Sequence, residues 1–270
     1  MIIDGRAISR QLLAHIRERG LGELVVRAIT VAPTAATRSY LHIKERAAQD
    51  AGMKLDVLQL PDEATTEDAL AAVALPGADA IIVQLPLPPA IDTERVLAAI
   101  PLEKDADVLS PAARARMNEK DALVPPVAAA VDEILARGGV SPEGKRAAVV
   151  GKGKLVGEPV VARLAAQGAH VVSYDEHDFS PSALVDADII VAGSGVPHLV
   201  KPNMVKEGVV LIDAGTSEQP TNSGTALVGD IDPACAERAN LYTPVPGGVG
   251  PITVACLFRN AATLAELRKS

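Results

Sequence analysis

Val149-Val150-Gly151-Lys152-Gly153-Lys154-Leu155-Val156-Gly157-Glu158-Pro159 divides this chain. The apolar run that leads into it, residues 147–150, is short enough for a buried strand. Beyond it, Val161, Leu164 and Ala165 recur at helical spacing within residues 160–167. A glycine turn between a strand and a helix can tighten and bring backbone N–H groups to a helix N-terminus, where a phosphate is held. Gly151, Lys152, Gly153 and Gly157 are therefore candidate cofactor-binding residues. The spacing is G-x-G-x-x-x-G, one residue longer than the usual dinucleotide fingerprint. On this segment alone, a plain strand-to-helix turn stays open.

Downstream, strands are expected at residues 170–174, 188–192 and 209–213, with helical or irregular segments between them, a βαβ series. Asp175 and Glu176 follow the first of these strands, about where a carboxylate hydrogen-bonds an adenosine ribose. Asp175 reads equally as an ordinary residue of a strand-end turn. Thr216, after the strand at 209–213, joins the cofactor candidates.

Upstream, residues 6–19 read as an amphipathic helix ended by Gly20, and 27–31 as a strand. A helix over 37–51 carries Tyr40 and Lys44 at i, i+4, on one face. A strand at 55–60 precedes a helix over 67–74, for which Thr66 is the expected cap. The strand at 79–84 is stopped by Leu85-Pro86-Leu87-Pro88-Pro89, whose prolines forbid helix and central strand alike. Gln84 thus stands at the carboxyl end of a parallel strand, the edge where open α/β sheets bind ligands. A short helix follows at 93–100, then a charged loop over 101–109. A helix opened by Pro125-Pro126 runs to Arg137 and connects into a second domain. The last helix, over 251–268, follows the glycine-rich loop Thr243-Pro-Val-Pro-Gly-Gly-Val-Gly250 and is expected to return to the first domain. The fold class is α/β in two domains: a three-layer domain of residues 1–122 completed by 251–270, and a Rossmann-like dinucleotide-binding domain of 123–250.

Composition agrees with this class. Of 270 residues, 48% are hydrophobic but only 2% aromatic, with no Trp, so the core must be Val, Leu, Ile and Ala. Such cores suit parallel sheets covered on both faces. A net charge of −8 argues against nucleic acid or an anionic membrane as partner. The N-terminal residues lack a signal-peptide apolar region, and no apolar run is long enough to span a bilayer. Cys235 and Cys256 have no C-x-x-C spacing, and the five histidines form no H-x-x-x-H pair. A cytoplasmic protein with no metal is expected.

Taken singly, the polar candidates are ambiguous. Tyr40 and Lys44 could be a solvated helix pair. The Tyr-x-x-x-Lys of short-chain dehydrogenases follows the glycine loop in those enzymes, whereas here it precedes it, so that likeness fails. Gln84 could simply end a strand, and Asp107 could be one of several solvated carboxylates. Together, however, Ile3-Asp4-Gly5, Tyr40-x-x-x-Lys44, Val83-Gln84-Leu85-Pro86-Leu87-Pro88, Lys104-Asp105-x-Asp107, Val156-Gly157-x-Pro159 and Thr243-Pro-Val-Pro-Gly-Gly-Val-Gly-Pro251 resemble the bifunctional methylenetetrahydrofolate dehydrogenase/methenyltetrahydrofolate cyclohydrolase family. They do so in the family's order and over nearly the whole chain.

The resemblance implies two domains flanking a folate cleft, a nicotinamide cofactor on the second domain, and a homodimer formed through the nucleotide-binding domains. The implied chemistry is hydride transfer from the folate methylene to the nicotinamide, then hydrolysis of the methenyl product to formyltetrahydrofolate. Lys44 would be the acid/base of ring opening, which requires burial or a neighbouring cation to lower its pKa. Gln84 would orient Lys44 without adding negative charge, and Tyr40 would stack on the folate. Asp107 would take hydrogen bonds from the pterin's amino-pyrimidine edge. Leu85, Pro246, Gly247 and Gly248 would line the substrate site, the last three with closely approaching backbone.

Several family positions differ. Asp107 is followed by Val108 where the family usually has Gly, and the expected Asn and Gly beyond it are Ala113 and Ala115. The family's Pro-Cys-Thr-Pro-x-Gly is Pro125-Pro126-Val127-Ala128-Ala129-Ala130 here, and its Gly-Arg-Ser is Gly151-Lys152-Gly153. Upstream, Gly-x-x-Pro-Ala-Ser has become Ala32-Pro33-Thr34-Ala35-Ala36-Thr37. The changes gather on the linker and cofactor side. Alternatives are thus a monofunctional cyclohydrolase with a decayed cofactor site, or a non-catalytic folate or nucleotide-binding module. NADP is the family default. Asp175 and Glu176 would repel its 2′-phosphate and favour NAD, whereas Lys152 and His177 could hold that phosphate.

Overall fold

The computed structural model of the chain describes residues 1–117, 119, 121–175, 177–221 and 224–269. Glu176 lies outside the described residues. The chain divides into two compact units, Ser9–Pro126 with Val254–Ser270, and Met1–Ile8 with Val127–Thr253.

The first unit is built on α1 (Gly5–Glu18), β1 (Val25–Val31), α2 (Ala35–Asp50), β2 (Lys54–Leu60), α3 (Thr66–Ala74), β3 (Ala80–Val83), α4 (Thr93–Ala98) and α5 (Pro111–Ala115). Its sheet is parallel, in the order β2-β1-β3. β1 shows why there are three layers. Its side chains alternate between faces: Val26 and Ala28 pack with Leu13, Leu41, Ala48 and Phe258. Ile29 and Val31 pack instead with Ala69, Val73 and Val96. Both faces are therefore covered. Arg27 is also buried, and its Nε donates to Asp56 Oδ2 at 2.8 Å while Nη1 donates to the Leu75 carbonyl at 2.7 Å, so the charge is not left bare.

Thr65, not Thr66, caps α3. Its hydroxyl accepts from the Asp68 N–H and Asp68 Oδ2 accepts from the Thr65 N–H, a capping box. Thr66 is the first helical residue, and its hydroxyl accepts from the Asp92 N–H at 2.9 Å. Two adjacent threonines look alike in sequence; the acid three residues after Thr65 makes the difference. α5, with five residues, is too short for a periodic signal and was not expected.

The second unit contains α6 (Pro126–Arg137), β4 (Arg146–Val150), α7 (Gly157–Ala166), β5 (His170–Tyr174), β6 (Ile189–Ala192), β7 (Val209–Asp213), β8 (Ser217–Thr221), β9 (Gly224–Val228), β10 (Ala239–Tyr242) and α8 (Val249–Leu267), the last of which runs on into the first unit. The main sheet is parallel, β10-β7-β6-β4-β5, and its strands β4, β6 and β7 are buried along almost their whole length. β5 lies on one side of β4 and β6 on the other, so the strand order reverses at the carboxyl end of β4. That topology opens a ligand crevice at the glycine turn. The β8–β9 hairpin and β10 were not expected: Ser217–Thr221 has no apolar alternation, and Ala239–Tyr242 is four residues long.

Met1–Ile8 joins the second unit through backbone pairing that sequence order does not suggest. The Ile3 N–H donates to the Tyr242 carbonyl and the Tyr242 N–H to the Met1 carbonyl, each at 2.9 Å. This pairing explains Gly5, where a Cβ would lie 1.8 Å from the Gly248 carbonyl oxygen.

Candidate active site

In the first unit, α2 turns Leu41, Lys44, Ala47 and Ala48 inward. Lys44 is 4% exposed, so it is not a solvated helix residue. Its Nζ donates to Gln84 Oε1 at 2.9 Å and sits 4.9 Å from the centre of the Tyr40 ring. Gln84 follows β3, and its own amide Nε2 donates to the Leu85 carbonyl at 3.2 Å. That second bond sets which way the amide points, with oxygen toward the lysine. Burial lowers the Lys44 pKa, and the Asp107 carboxylate partly opposes the shift. Burial raises the Asp107 carboxyl in turn, against the pull of Lys44 and with the push of Asp105. Burial and Asp107 together hold the Tyr40 phenol well above its ordinary value, as a neutral hydroxyl.

The loop that carries Asp107 is held by its motif neighbour Asp105 and by Asn260, which sequence reasoning passed over. Asp105 is 1% exposed and accepts from the backbone N–H groups of Leu109 and Ser110 at 3.2 and 2.8 Å. Asn260 on α8, also buried, donates to the carbonyls of Ala106 and Val124, both at 2.9 Å. A lone amide on an otherwise apolar helix face was the available signal. Two of the positions where the sequence departs from the expected glycine have left-handed backbone: Val108 has φ +57 and Ala32 φ +44. Left-handed backbone costs a residue with a Cβ about 1–2 kcal/mol, and a β-branched residue is rarest there. Both residues hold a left-handed backbone that glycine adopts freely, and Val108 adjoins Asp107.

In the second unit the glycines of the turn are not equivalent. Gly151 has φ +112, and a Cβ there would meet the Gly193 carbonyl oxygen at 2.6 Å. A Cβ on Gly157 would meet the Gly151 carbonyl oxygen at 2.0 Å. Gly153 has nothing within 4 Å, so the turn does not tighten through it. Gly151 follows β4 and Gly157 opens α7, so backbone packs closely on backbone where the strand turns into the helix, and the N-terminus of such a helix fits a dinucleotide phosphate. Lys152 Nζ lies 3.2 Å from Asp175 Oδ2 and 2.5 Å from Asp178 Oδ2. The Asp178 carboxylate also accepts from the Asp175 N–H at 2.7 Å, and Asp175 accepts from the His177 N–H at 3.0 Å. The hydrogen bond that Lys152 donates to Asp178 raises its ammonium pKa, and the His177 N–H and Lys152 lower the Asp175 carboxyl, so both stay charged at neutral pH.

Two buried carboxylates brace the neighbouring loops. Asp230 takes the Ser194 hydroxyl at 2.8 Å and the Gly195 N–H at 2.9 Å. Asp213 takes the N–H groups of Gly215, Asp230 and Ile231. Burial pushes the Asp213 carboxyl up to about 7, although those N–H groups favour the ion. Thr216 is exposed just past β7. Pro246, Gly247 and Gly248 form the turn before α8, after the cis bond Val245–Pro246; Gly247 has φ +106. These residues belong to the second unit, whereas Tyr40, Lys44, Gln84, Leu85 and Asp107 belong to the first. Among the described residues no His, Cys, Asp or Glu group could hold a metal ion, and no helix is long and apolar enough to cross a membrane.

Residues 3–107 match the family described as tetrahydrofolate dehydrogenase/cyclohydrolase, catalytic domain, and residues 125–269 match its NAD(P)-binding domain. Bifunctional protein FolD 2 of Arabidopsis thaliana is 38% identical over 98% of this chain and 95% of its own length. The solved methylenetetrahydrofolate dehydrogenase-cyclohydrolase of Trypanosoma brucei, complexed with NADP cofactor and inhibitor, is 32% identical, with a TM-score of 0.94 over 100% of this chain and 98% of that one. The bifunctional FolD enzyme of Campylobacter jejuni superposes with a TM-score of 0.93 at 30% identity, over 99% of each chain.

Proposed function

The chain belongs to the tetrahydrofolate dehydrogenase/cyclohydrolase family, and from that premise we propose how its own residues carry the reactions. It is a bifunctional one-carbon enzyme: methylenetetrahydrofolate is oxidised to methenyltetrahydrofolate with a nicotinamide cofactor, and the product is hydrolysed to formyltetrahydrofolate. The rival readings, a cyclohydrolase alone or a binding module, are not favoured beside relatives that are bifunctional over the full chain length.

The observation that carries the assignment of roles is a buried lysine with lowered pKa and a neutral hydrogen-bond acceptor. As a neutral amine, Lys44 takes a proton from the water that adds to the methenyl carbon, then returns one to the ring nitrogen as its bond to that carbon breaks. Gln84 aims the amine. A carboxylate in its place would hold the lysine protonated. Tyr40 offers its ring to the folate, and Asp107 accepts from the pterin's amino-pyrimidine edge. Leu85 in the first unit, and Pro246, Gly247 and Gly248 in the second, are further proposed substrate-binding residues.

The dinucleotide, when bound, supplies the hydride acceptor. Gly151, Lys152, Gly153 and Gly157 are proposed to hold its phosphates, and Asp175 and Thr216 to position the adenosine and nicotinamide ends. NADP is the cofactor of the Trypanosoma brucei relative and the family default for this chain. Family membership also supports a homodimer and a place in the cytoplasm.

Absorbance of the methenyl product tests the pair of activities. Methylenetetrahydrofolate mixed with enzyme and NADP or NAD is expected to give it, and methenyltetrahydrofolate without nucleotide is expected to decay rapidly. Decay with no oxidation by either nucleotide would leave a cyclohydrolase only.

Asp107→Asn should separate binding from proton transfer. Loss of a charged hydrogen-bond partner is worth about 1.5–3 kcal/mol, so KM should rise roughly ten- to a hundredfold. Asp107 raises the Lys44 pKa; without it the amine is neutral at lower pH. The rising limb of kcat against pH therefore moves to lower pH. An unmoved limb would mean Lys44 does not sense this carboxylate.

A further inference from the structure

The strand-end loop after β5 forms an ion-pair cluster with the proposed dinucleotide-binding turn. Lys152, in the glycine turn, is engaged by two carboxylates at once: Asp175 at 3.2 Å and Asp178 at 2.5 Å. The carboxylates are themselves tied into the loop, because Asp178 also accepts from the Asp175 N–H and Asp175 from the His177 N–H. The lysine therefore meets carboxylates that already accept from backbone donors of their own loop. All three side chains remain partly exposed, at 40%, 35% and 49%, so a ligand can reach them.

Position gives the cluster its meaning. Asp175 follows β5, the strand next to β4, and comes after the glycine turn by about the interval at which an acid meets the adenosine ribose of a dinucleotide. A ribose hydroxyl there can donate to Asp175 and leave both ion pairs intact. A 2′-phosphate brings additional negative charge to a place where, among the described residues, Lys152 is already paired with Asp175 and Asp178. To use Lys152 it must displace a carboxylate, and the displaced carboxylate stays close, held by the loop. Exposed ion pairs are individually weak, so the phosphate is not shut out; its usual advantage is cancelled.

We propose that Lys152, Asp175 and Asp178 act together as specificity-determining residues that admit NAD as a working cofactor alongside NADP. The proposal rests on the dinucleotide-binding reading above and goes beyond it in naming the discrimination and its cause. Asp178 is the decisive residue. It holds Lys152 most closely and lies off the ribose-facing position.

Fluorescence titration of the whole protein with NADH and with NADPH reads this directly, without turnover. Dissociation constants for the two within about tenfold of one another are expected, a difference below about 1.4 kcal/mol. Asp178→Asn keeps an oxygen for the Asp175 N–H but removes one charge. It should tighten NADPH at least about threefold and leave NADH within about twofold, since an exposed ion pair is worth less than about 1 kcal/mol. NADPH bound more than tenfold tighter than NADH by the wild type would overturn the proposal, as would an Asp178→Asn variant that folds normally and binds both as before. Failure of both nucleotides to bind is a different result: it removes the dinucleotide site itself, and this inference with it. Thermal unfolding of the variant guards against a merely structural effect, which would weaken both nucleotides rather than favour one.

Discussion

Lys44→Met is expected to slow methenyltetrahydrofolate hydrolysis by about 10²–10⁴-fold, the range that a positioned acid/base contributes. Methionine fills a similar volume without an amine, so the loss reads proton transfer rather than packing. Equal rates for wild type and variant would end the catalytic assignment. The same substitution should leave thermal stability unchanged or higher. Lys44 is buried with its pKa lowered, chiefly by desolvation, so the fold carries a cost for its charged form. Gln84 loses a donor, but it is only half-buried and water can reach it.

The pH dependence fixes the sign. Between the lowered pKa of the folded state and the ordinary lysine value of 10.5, the unfolded chain binds more protons than the native one. Stability from this group therefore rises with pH through that window. Denaturant titrations of wild type should show that gain, and those of Lys44→Met should lack it. A residue that weakens the fold and is kept at the centre of a hydrogen-bonded site is one whose retention is explained by chemistry.

Gly157→Ala is expected to have the second large effect, on the other unit. Its Cβ would lie 2.0 Å from the Gly151 carbonyl oxygen, 2.7 Å from that carbonyl carbon and 2.9 Å from the Lys152 Cα. All three are backbone atoms that cannot rotate away, so the turn itself must move. Overpacking costs about 1–3 kcal/mol, and the displaced turn should bind either dinucleotide roughly ten- to a hundredfold more weakly. Hydrolysis of methenyltetrahydrofolate without nucleotide should stay within about threefold of wild type, a change of less than about 1 kcal/mol, because Lys44, Gln84 and Asp107 belong to the first unit. Gly153→Ser, at a position with nothing within 4 Å, is the packing control and should leave thermal stability as in wild type. Were Gly157→Ala to bind dinucleotide normally, the glycine turn would not be the phosphate site.

Much of the fold is legible in the sequence because its signals are local. The apolar runs of β3, β4, β6 and β7, their prolines and glycines, and the helical spacing between them identify an α/β chain with parallel sheets before any contact is known. The order of its short motifs is enough to place it in its family. Where the local signal is weak, reading fails: β10 is four residues long, the β8–β9 hairpin is polar, and Thr65 and Thr66 differ as caps only through Asp68.

What only the tertiary structure decides is who meets whom. Tyr40 and Lys44 at i, i+4 are written identically whether their helix face is solvated or buried; packing of α2 on the sheet settles that, and a bond to Gln84, 40 residues away, makes the lysine an aimed amine. Gly153 and Gly157 are the same letter, yet only one faces backbone at 2.0 Å. Lys152 is written as a cation that could receive a phosphate, and the fold delivers two carboxylates to it first. Val108 and Ala32 are ordinary residues in sequence and left-handed ones in space. Periodicity encodes the element, because it depends on neighbours along the chain; partner, burial and backbone strain depend on residues the chain brings back from far away.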